Sequence, residues 1–240
     1  MKRQVLDHPK IFDLPKLRNR LGVFQDRASA GKVLAGMLVE HRDSDAVVMG
    51  IPAGGVAVAV EIARKLNLAL DVAVVSKITL PWNTEAGYGA VAFDGTVMLN
   101  EELLSRLNLS DQEIQTGIKK TEQKVSRRVT MFRGDRPLPD FSRPILLVDD
   151  GLASGFTLRV AIKALRRNGA TNVILAVPTA HSVSVQGILE EVEAIYCPNL
   201  RGGLSFAVAD AYEQWSDLDE QEVIRILQGF NSDQGRPHSY

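Results

Sequence analysis

The sequence of 240 residues has one cysteine, few aromatic residues and no long apolar run. Because Cys197 has no second cysteine to pair with, an internal disulfide is excluded, which suits a reducing compartment. No run reaches the roughly 18 apolar residues of a membrane-spanning helix. The first residues also lack the apolar segment of a secretion signal. We therefore expect a cytoplasmic protein with no membrane partner.

An excess of charge of either sign is also missing, since the net charge is −1. Without a basic field, nucleic acid is not an expected partner. The four histidines, His8, His41, His181 and His238, lie apart with no metal-ligand spacing, so we expect no protein-built metal site. His181 follows a predicted strand and either faces a cleft or lies on the surface. The glycine and lysine patterns of dinucleotide-binding and Walker A loops are absent.

What is present is most informative at residues 145–157, Ile-Leu-Leu-Val-Asp-Asp-Gly-Leu-Ala-Ser-Gly-Phe-Thr. The first four residues form an unbroken apolar run, which predicts a strand buried on both faces of a parallel sheet. Two acids and a small-residue loop follow. From Phe156 onward, apolar residues recur at helical spacing until Asn168-Gly169 ends the pattern. The unit is therefore a strand, an acidic corner, a loop and a helix.

This unit suits a phosphorylated sugar. The backbone N–H groups of residues 151–157 and the hydroxyls of Ser154 and Thr157 precede a helix N-terminus, where phosphate binds favourably. Asp149 and Asp150 repel phosphate but accept hydrogen bonds from a sugar diol. A phosphosugar with free hydroxyls satisfies both parts, and the alternative is a generic strand–helix turn that binds another phosphate.

The run resembles the signature with which type I phosphoribosyltransferases bind phosphoribosyl pyrophosphate (PRPP). The resemblance implies that Asp149 and Asp150 hold the ribose hydroxyls. It assigns the 5′-phosphate to the residues of the next loop, Gly151, Ala153, Ser154, Gly155, Phe156 and Thr157. In 6-oxopurine enzymes of this family, an aspartate usually stands three residues after the second acid. Ala153 stands there here, which argues against hypoxanthine or guanine as the acceptor.

A second strand–loop–helix unit lies upstream, with an apolar strand at residues 46–49 and a helix at 56–66. Its loop carries Pro52, Ala53, Gly54 and Gly55. In the resembling enzymes this loop binds pyrophosphate, often with an unusual peptide geometry. A tight turn that needs glycine for steric reasons is the alternative. Related sequences tend to carry a basic residue near Ala53, so here other groups would have to supply the positive charge.

A third strand is predicted at residues 71–77. Lys77 at its end would point to the ligand crevice of an open α/β sheet and contact a PRPP phosphate, unless it simply emerges into solvent. An insert at about 80–140 follows, with a hairpin turned at Asp94-Gly95 and a helix that starts at residue 110 and ends at 127–128.

By resemblance, this insert holds the mobile loop that closes over the reaction centre. Its candidates are Arg127, Arg128 and Arg133, which would otherwise form a solvated helix end. A small C-terminal hood is expected at about 198–216. Arg201 and Phe206 are candidates for acceptor contact there, with core or dimer packing as the alternative for the aromatic ring.

The ends of the chain are assigned from composition. Residues 1–22 are polar and predict an N-terminal arm, while Asp26 and Arg27 are interpreted as a helix cap and a surface charge. A last helix is expected at 217–227, and a disordered tail at 230–240. One domain is thus predicted at residues 23–229.

Strands and helices alternate, which predicts an α/β fold with a mostly parallel sheet and helices on both faces. From about residue 24 to 227 the chain resembles bacterial and archaeal proteins known only as predicted phosphoribosyltransferases. The resemblance implies transfer of a phosphoribosyl group from PRPP to a nitrogenous acceptor such as a nucleobase. Asp149, Asp150 and Lys77 would form the catalytic centre, Mg²⁺ would be bound mainly through PRPP, and the protein would be a homodimer.

Two alternatives stay open from the sequence. One is a non-catalytic PRPP- or nucleotide-binding regulator on the same fold, which the absence of a basic residue at Ala53 favours. The other is a phosphosugar-processing enzyme with a different reaction.

Overall fold

The structure is a computed structural model that describes residues 8–234, apart from the side chains of residues 84, 85 and 234. The strands are β1 Ile11–Phe12, β2 Val47–Gly50, β3 Ala69–Val72, β4 Val75–Leu80, β5 Asn83–Ala92, β6 Val97–Leu99, β7 Ile145–Val148, β8 Val173–Ala176, β9 Thr179–His181, β10 Ala194–Tyr196 and β11 Asn199–Arg201. The α-helices are α1 Arg27–Met37, α2 Gly54–Leu66, α3 Glu101–Leu104, α4 Asp111–Arg133, α5 Phe156–Arg167, α6 Ser182–Ile188 and α7 Glu220–Gln234.

Six strands form a parallel sheet in the order β1-β10-β8-β7-β2-β3. The chain proceeds from β2 outward to β3 on one side, and from β7 outward through β8 to β10 on the other. The direction of winding therefore reverses between β2 and β7. In open α/β sheets, the loops that leave the carboxyl ends of two such strands diverge and form a crevice.

Both faces of the sheet are covered, as the unbroken apolar runs predicted. On one face the strand residues pack against α5 and α6, and on the other they pack against α1, α2 and α7. Paired residues of β2 and β7 lie on the same face, and successive pairs alternate between the two faces. Met49 and Leu147 lie on the first face, and Val48 and Leu146 lie on the second. The expected α/β fold with helices on both faces is confirmed.

The predicted strand at residues 71–77 is wrong in its extent, because it is two strands in two different sheets. β3 ends the parallel sheet at Val72, and β4 starts a three-stranded antiparallel sheet with β5 and β6. Ala73 and Val74, which link them, are completely buried. The apolar run is therefore continuous across the break, and periodicity carries no sign of it.

The predicted hairpin and the predicted start of α4 are both present. β5 and β6 turn through Gly95, whose φ is +82°. Ser110 and Glu113 form the capping box of α4, in which each side chain accepts from the other's backbone N–H. The helix does not end at 127–128, however. It continues to Arg133 because Phe132 extends the buried stripe that includes Val125, and Gly134 ends it.

The predicted ends of the chain need correction. Residues 11–12 form an edge strand of the main sheet instead of an arm, and Phe12 stacks on Tyr196 with ring centroids 4.6 Å apart. The last helix runs to Gln234, because Phe230 is buried and extends the stripe of Val223 and Leu227. Residues 1–7 of the predicted arm and 235–240 of the predicted tail lie outside the described residues. None of the helices in 8–234 has the length and apolar character to cross a membrane.

Two glycines of α1 differ in their surroundings and give a matched test of how α1 packs on α2. A Cβ on Gly31 would lie 2.6 Å from the Val58 carbonyl oxygen, whereas one on Gly36 would have nothing within 4 Å. We predict that Gly31→Ala lowers the free energy of unfolding by about 1–3 kcal/mol through overpacking. Gly36→Ala should raise it by up to about 1 kcal/mol, since alanine favours helix. Urea denaturation would measure both, and equal effects would contradict the described packing.

Candidate active site

A cleft opens at the carboxyl ends of β2 and β7, where the winding reverses. Its volume is about 420 Å³, which is in the range of small-molecule sites. The walls come from the loop after β2, the loop after β7, hairpin strand β4 and helix α4. The lining residues are Ile51, Pro52, Ala53, Gly54, Val75, Ser76, Lys77, Thr79, Lys124, Arg128, residues 149–155, Thr157, Leu158 and Val208.

The loop after β2 approaches the acids so closely that only glycine fits at two positions. A Cβ on Gly54 would lie 1.8 Å from Asp150 Oδ2, and one on Gly55 would lie 2.6 Å from the Val148 carbonyl oxygen. Pro52, Ala53 and Gly54 line the cleft, while Gly55 packs behind it. The peptide between Pro52 and Ala53 is cis. Since α2 begins at Gly54, the N-terminus of this helix lies beside the cleft.

The loop after β7 places the two acids and the predicted phosphate-binding residues in the same cleft. Gly155 has a φ of +76°, a conformation that favours glycine, and α5 begins directly after it. The hydroxyl of Ser154 accepts from the Phe156 N–H at 3.4 Å. The predicted 5′-phosphate residues that line the cleft are Gly151, Ala153, Ser154, Gly155 and Thr157. Phe156 instead packs its ring against the core.

The two adjacent carboxylates occupy a poorly solvated position at the centre of the cleft. Burial and the neighbouring charge of Asp150 raise the pKa of Asp149 well above its ordinary value. Burial also raises the pKa of Asp150, but Arg27 opposes this change. The Asp150 N–H donates to Asp149 Oδ1 at 2.9 Å, which orients the first carboxylate. Hydrogen-bond donors on a ligand, such as sugar hydroxyls, would therefore be favourable partners for this pair.

Arg27 is not the surface charge that the sequence predicted. Its Nε donates to Asp150 Oδ2 at 2.8 Å, and its Nη1 donates to the Ser216 carbonyl at 2.8 Å. The guanidinium lies 3.8 Å from the centre of the Trp215 ring. Asp26 does cap α1, accepting from the Ser29 N–H at 2.7 Å. A cation in the first turn of a helix, such as Arg27 in α1, is unfavourable beside the positive end of the helix dipole. Its presence there in the sequence could have indicated that Arg27 pairs with a carboxylate elsewhere.

Three cationic residues line the cleft beside the loop that follows β2. Lys77 lies in the middle of β4 and not at the end of a parallel strand, but it still reaches the cleft. Lys124 and Arg128 lie one turn apart on α4, and Arg128 donates to Ser76 Oγ at 3.2 Å. Partial burial and the nearby Arg128 lower the pKa of Lys124. An anion bound in the cleft would therefore relieve the repulsion between these cations and stabilise their charged forms.

The mobile-loop assignment of Arg127, Arg128 and Arg133 is wrong, because all three belong to helix α4. Arg128 is buried in the cleft wall. Arg127 is turned away and pairs with Glu220 of α7 at 2.9 Å. Arg133 is buried far along the helix and binds both carboxylate oxygens of Asp71, at 2.8 and 2.9 Å. Lys124, which sequence reasoning missed, shares the cleft with Arg128 because four residues make about one turn.

The C-terminal hood contacts the site through a residue that was not predicted. Arg201 is buried, donates to Asp210 at 2.9 Å and lies 4.8 Å from the centre of the Phe206 ring. Neither Arg201 nor Phe206 is among the cleft-lining residues. Instead Val208 covers Gly151, where a Cβ would lie 2.4 Å from Val208 Cγ1. His181 contacts the hood, with its Nε2 at 3.1 Å from the Gly203 carbonyl oxygen.

Metal ligands are limited in the part of the chain that the structure describes. No group of three or more histidine, cysteine, aspartate or glutamate side chains there could hold a metal ion. The part of the cleft beside the loop after β2 presents cations and backbone. A magnesium ion would therefore have to arrive with its own oxygen ligands, such as those of a bound pyrophosphate.

Comparisons with known proteins agree with this geometry. A family model described as Phosphoribosyl transferase domain matches residues 94–190, which include both acids and the loop after them. The Mycobacterium tuberculosis protein named "Putative phosphoribosyl transferase Rv0571c" is 34% identical over 209 residues, covering 85% of this chain and 46% of that protein. The chain thus spans about half the length of the curated relatives it matches.

One solved structure resembles the chain over nearly its whole length. The crystal structure of the protein TT1426 from Thermus thermophilus has 30% sequence identity and a TM-score of 0.67. The alignment covers 86% of this chain and 98% of that chain.

The raised pKa of Asp149 predicts a stability change that depends on pH. Asp149→Asn removes a poorly solvated charge while its amide oxygen can still accept from the Asp150 N–H. A carboxyl with a raised folded-state pKa loses native-state stability as pH rises through that pKa. We therefore expect the variant to melt a few degrees above the wild type at neutral pH, where about 1 kcal/mol shifts Tm by about 2–4 °C.

This difference should shrink as the pH falls toward 3.8, the ordinary pKa of aspartate, because the wild-type carboxyl becomes protonated. Thermal melting across this range would measure it. Asp45→Asn, at an exposed position, controls for the loss of one negative charge. A variant less stable than the wild type at neutral pH would show that the Asp149 charge is compensated in the native state.

Proposed function

Since the chain belongs to the phosphoribosyltransferase family, we propose that it transfers the phosphoribosyl group of PRPP to a nitrogenous acceptor and releases pyrophosphate. Family membership confirms the resemblance that residues 145–157 predicted. The transfer itself is the function that the geometry of the cleft supports best. A homodimer in the cytoplasm, which the sequence analysis expected, belongs to the same proposal.

The observation that carries the proposal is that one cleft brings together three kinds of group. They are the N-terminus of α5 with the hydroxyls of Ser154 and Thr157, the two acids, and the cations of β4 and α4. PRPP has three matching parts, namely a 5′-phosphate, a ribose diol and a pyrophosphate. A ligand with only one phosphate would leave either the helix N-terminus or the cations without an anion.

At the centre, Asp149 and Asp150 would accept hydrogen bonds from the ribose hydroxyls. During transfer the bond from C1 to the pyrophosphate oxygen breaks, pyrophosphate keeps the electron pair, and C1 gains positive character before its bond to the acceptor nitrogen forms. Two half-buried, poorly solvated carboxylates stabilise that positive charge more strongly than water would. The free N–H groups of the α5 N-terminus would hold the 5′-phosphate in place.

At the other end, pyrophosphate would lie against Pro52, Ala53 and Gly54, within reach of Lys77, Lys124 and Arg128. These cations are the charges from elsewhere that the absence of a basic residue at Ala53 requires. Mg²⁺ bound on the pyrophosphate would make it a better leaving group. The chain's own cations would hold the released anion and keep the loop after β2 ordered around it.

The acceptor is narrowed by two residues beside the acids. Ala153 has no carboxylate for the base proton of a 6-oxopurine, and its carbonyl is already bonded by the Ser184 hydroxyl. Val208 over Gly151 makes this wall of the cleft apolar. We therefore favour a planar nitrogenous base other than hypoxanthine or guanine. Arg201 and Phe206 would influence it only through the position of Val208.

A regulator that binds PRPP without turnover is the alternative, and the absence of a basic residue at Ala53 favoured it in the sequence. The cations of α4 weaken that argument, because they place positive charge where the loop lacks it. Pyrophosphate release separates the two functions, since a regulator would bind PRPP and release none.

The first experiment is calorimetry of PRPP binding with Mg²⁺, followed by a pyrophosphate-release assay with a panel of nucleobases. We expect PRPP to bind and one base to trigger release. The double variant Asp149→Ala/Asp150→Ala should abolish binding, because the ribose loses both acceptors. Unchanged affinity in a folded double variant would contradict the proposal, and binding without release from any base would favour the regulator.

A second prediction tests which end of the cleft binds pyrophosphate. Lys124→Gln and Arg128→Gln should each weaken PRPP binding by about tenfold or more, since a hydrogen bond to a charged group contributes about 1.5–3 kcal/mol. Neither should change the affinity for ribose 5-phosphate, which lacks the pyrophosphate. Lys119→Gln, on the exposed side of α4, is the control and should bind both ligands like the wild type. An equal loss of affinity for PRPP and for ribose 5-phosphate would show that these cations do not bind the pyrophosphate.

A further inference from the structure

Arg27 makes contacts that the proposed reaction does not by itself require. It is 8% exposed and is absent from the cleft lining, so it does not face the substrate. Its guanidinium links three groups, namely the Asp150 carboxylate, the Ser216 carbonyl and the Trp215 ring. Asp150 lies between Arg27 and the cleft. Asp150 is thus the acid of the site that Arg27 contacts directly.

We propose that Arg27 is a positioning residue that fixes the Asp150 carboxylate and couples it to the C-terminal segment 212–216. The inference rests on the proposed function, because it concerns the acid that would bind the ribose. Its consequence is that the affinity for PRPP depends on Trp215, a residue outside the cleft.

The segment 24–27, Phe-Gln-Asp-Arg, is built to hold this arginine in place. Phe24 is 2% exposed, and its N–H donates to the Ala211 carbonyl at 3.0 Å. Asp26 caps α1 and fixes its first turn, from which Arg27 projects. Because both ends of the segment are anchored, the backbone from which the guanidinium reaches Asp150 is held in place.

The position of Asp150 is restricted from three sides. Arg27 holds Oδ2, Tyr212 donates from its hydroxyl to the Asp150 carbonyl at 2.6 Å, and the Asp150 N–H bonds to Asp149. One carboxylate oxygen is thus committed to Arg27, which leaves Oδ1 to accept from the ligand. Without the guanidinium, the carboxylate would be free to rotate and would lie unpaired beside Asp149, so its interaction with the ribose would weaken.

The test compares Arg27→Gln, Arg27→Lys and Arg27→Ala by calorimetry with PRPP. We expect Arg27→Gln to bind PRPP about 10–100-fold more weakly, the range for a lost hydrogen bond to a charged group. Arg27→Lys should lose less, because it keeps a cation beside Asp150 but cannot also bind Ser216. Millimolar guanidinium should restore part of the affinity of Arg27→Ala. Arg18→Gln, which disrupts an Arg–Asp pair with Asp13 outside the cleft, is the control.

The coupling to the C-terminal segment is tested by a double-mutant cycle with Trp215→Leu. This change should lower PRPP affinity several-fold in the wild-type background and have no further effect in the Arg27→Gln background. Additive losses would overturn the coupling. Melting curves would show that each variant is folded.

Two results would overturn the role of Arg27. The first is unchanged PRPP affinity in folded Arg27→Gln. The second is a loss that neither lysine nor guanidinium lessens, which would indicate a merely structural role. A wild-type protein that does not bind PRPP would remove the proposed function and this inference together. Wild-type binding with unaffected Arg27 variants would remove this inference alone.

Discussion

The structure depends on holding two adjacent carboxylates at the end of a parallel strand, where little water reaches them. Two like charges in such a position repel each other and lose hydration. The surrounding chain limits these costs without neutralising both acids. Gly54 leaves room for Asp150, the Asp150 N–H bonds Asp149, and Arg27 binds the outer oxygen of Asp150. What remains is a pair of acceptors suited to a ligand that brings its own donors.

The cleft combines three structural systems that are separate in the sequence. The parallel sheet supplies the two loops at its switch point, the antiparallel insert and α4 supply the cations, and the C-terminal segment supplies Val208 and the contacts to Arg27. Phosphate binding at a helix N-terminus is a general property of such loops. The cations lie outside the loop after β2, with Lys77 on strand β4 and Lys124 and Arg128 on helix α4.

The sequence predicted the parts of the fold that depend on local pattern. The buried strands, the capping box at Ser110 and the acids at Asp149 and Asp150 all follow from spacing and residue type. The pairing of Arg27 with Asp150 spans 123 residues and could not be read from periodicity. The break between β3 and β4 after Val72 could not be seen in the sequence, because the residues on both sides of it are buried and apolar. Arg128 was expected in a mobile loop, and only the full length of α4 shows that it belongs to the helix that forms one wall of the cleft.

Helix α4 is continuous from Asp111 to Arg133. The direction in which Lys124 and Arg128 point is therefore set by helical phase, counted from the capped start at Ser110. A single residue inserted between Ser110 and Lys124 would rotate both cations by about 100° around the axis and turn them out of the cleft. Variation in chain length within this insert is thus tolerable in the hairpin turn or after Gly134, but not inside the helix.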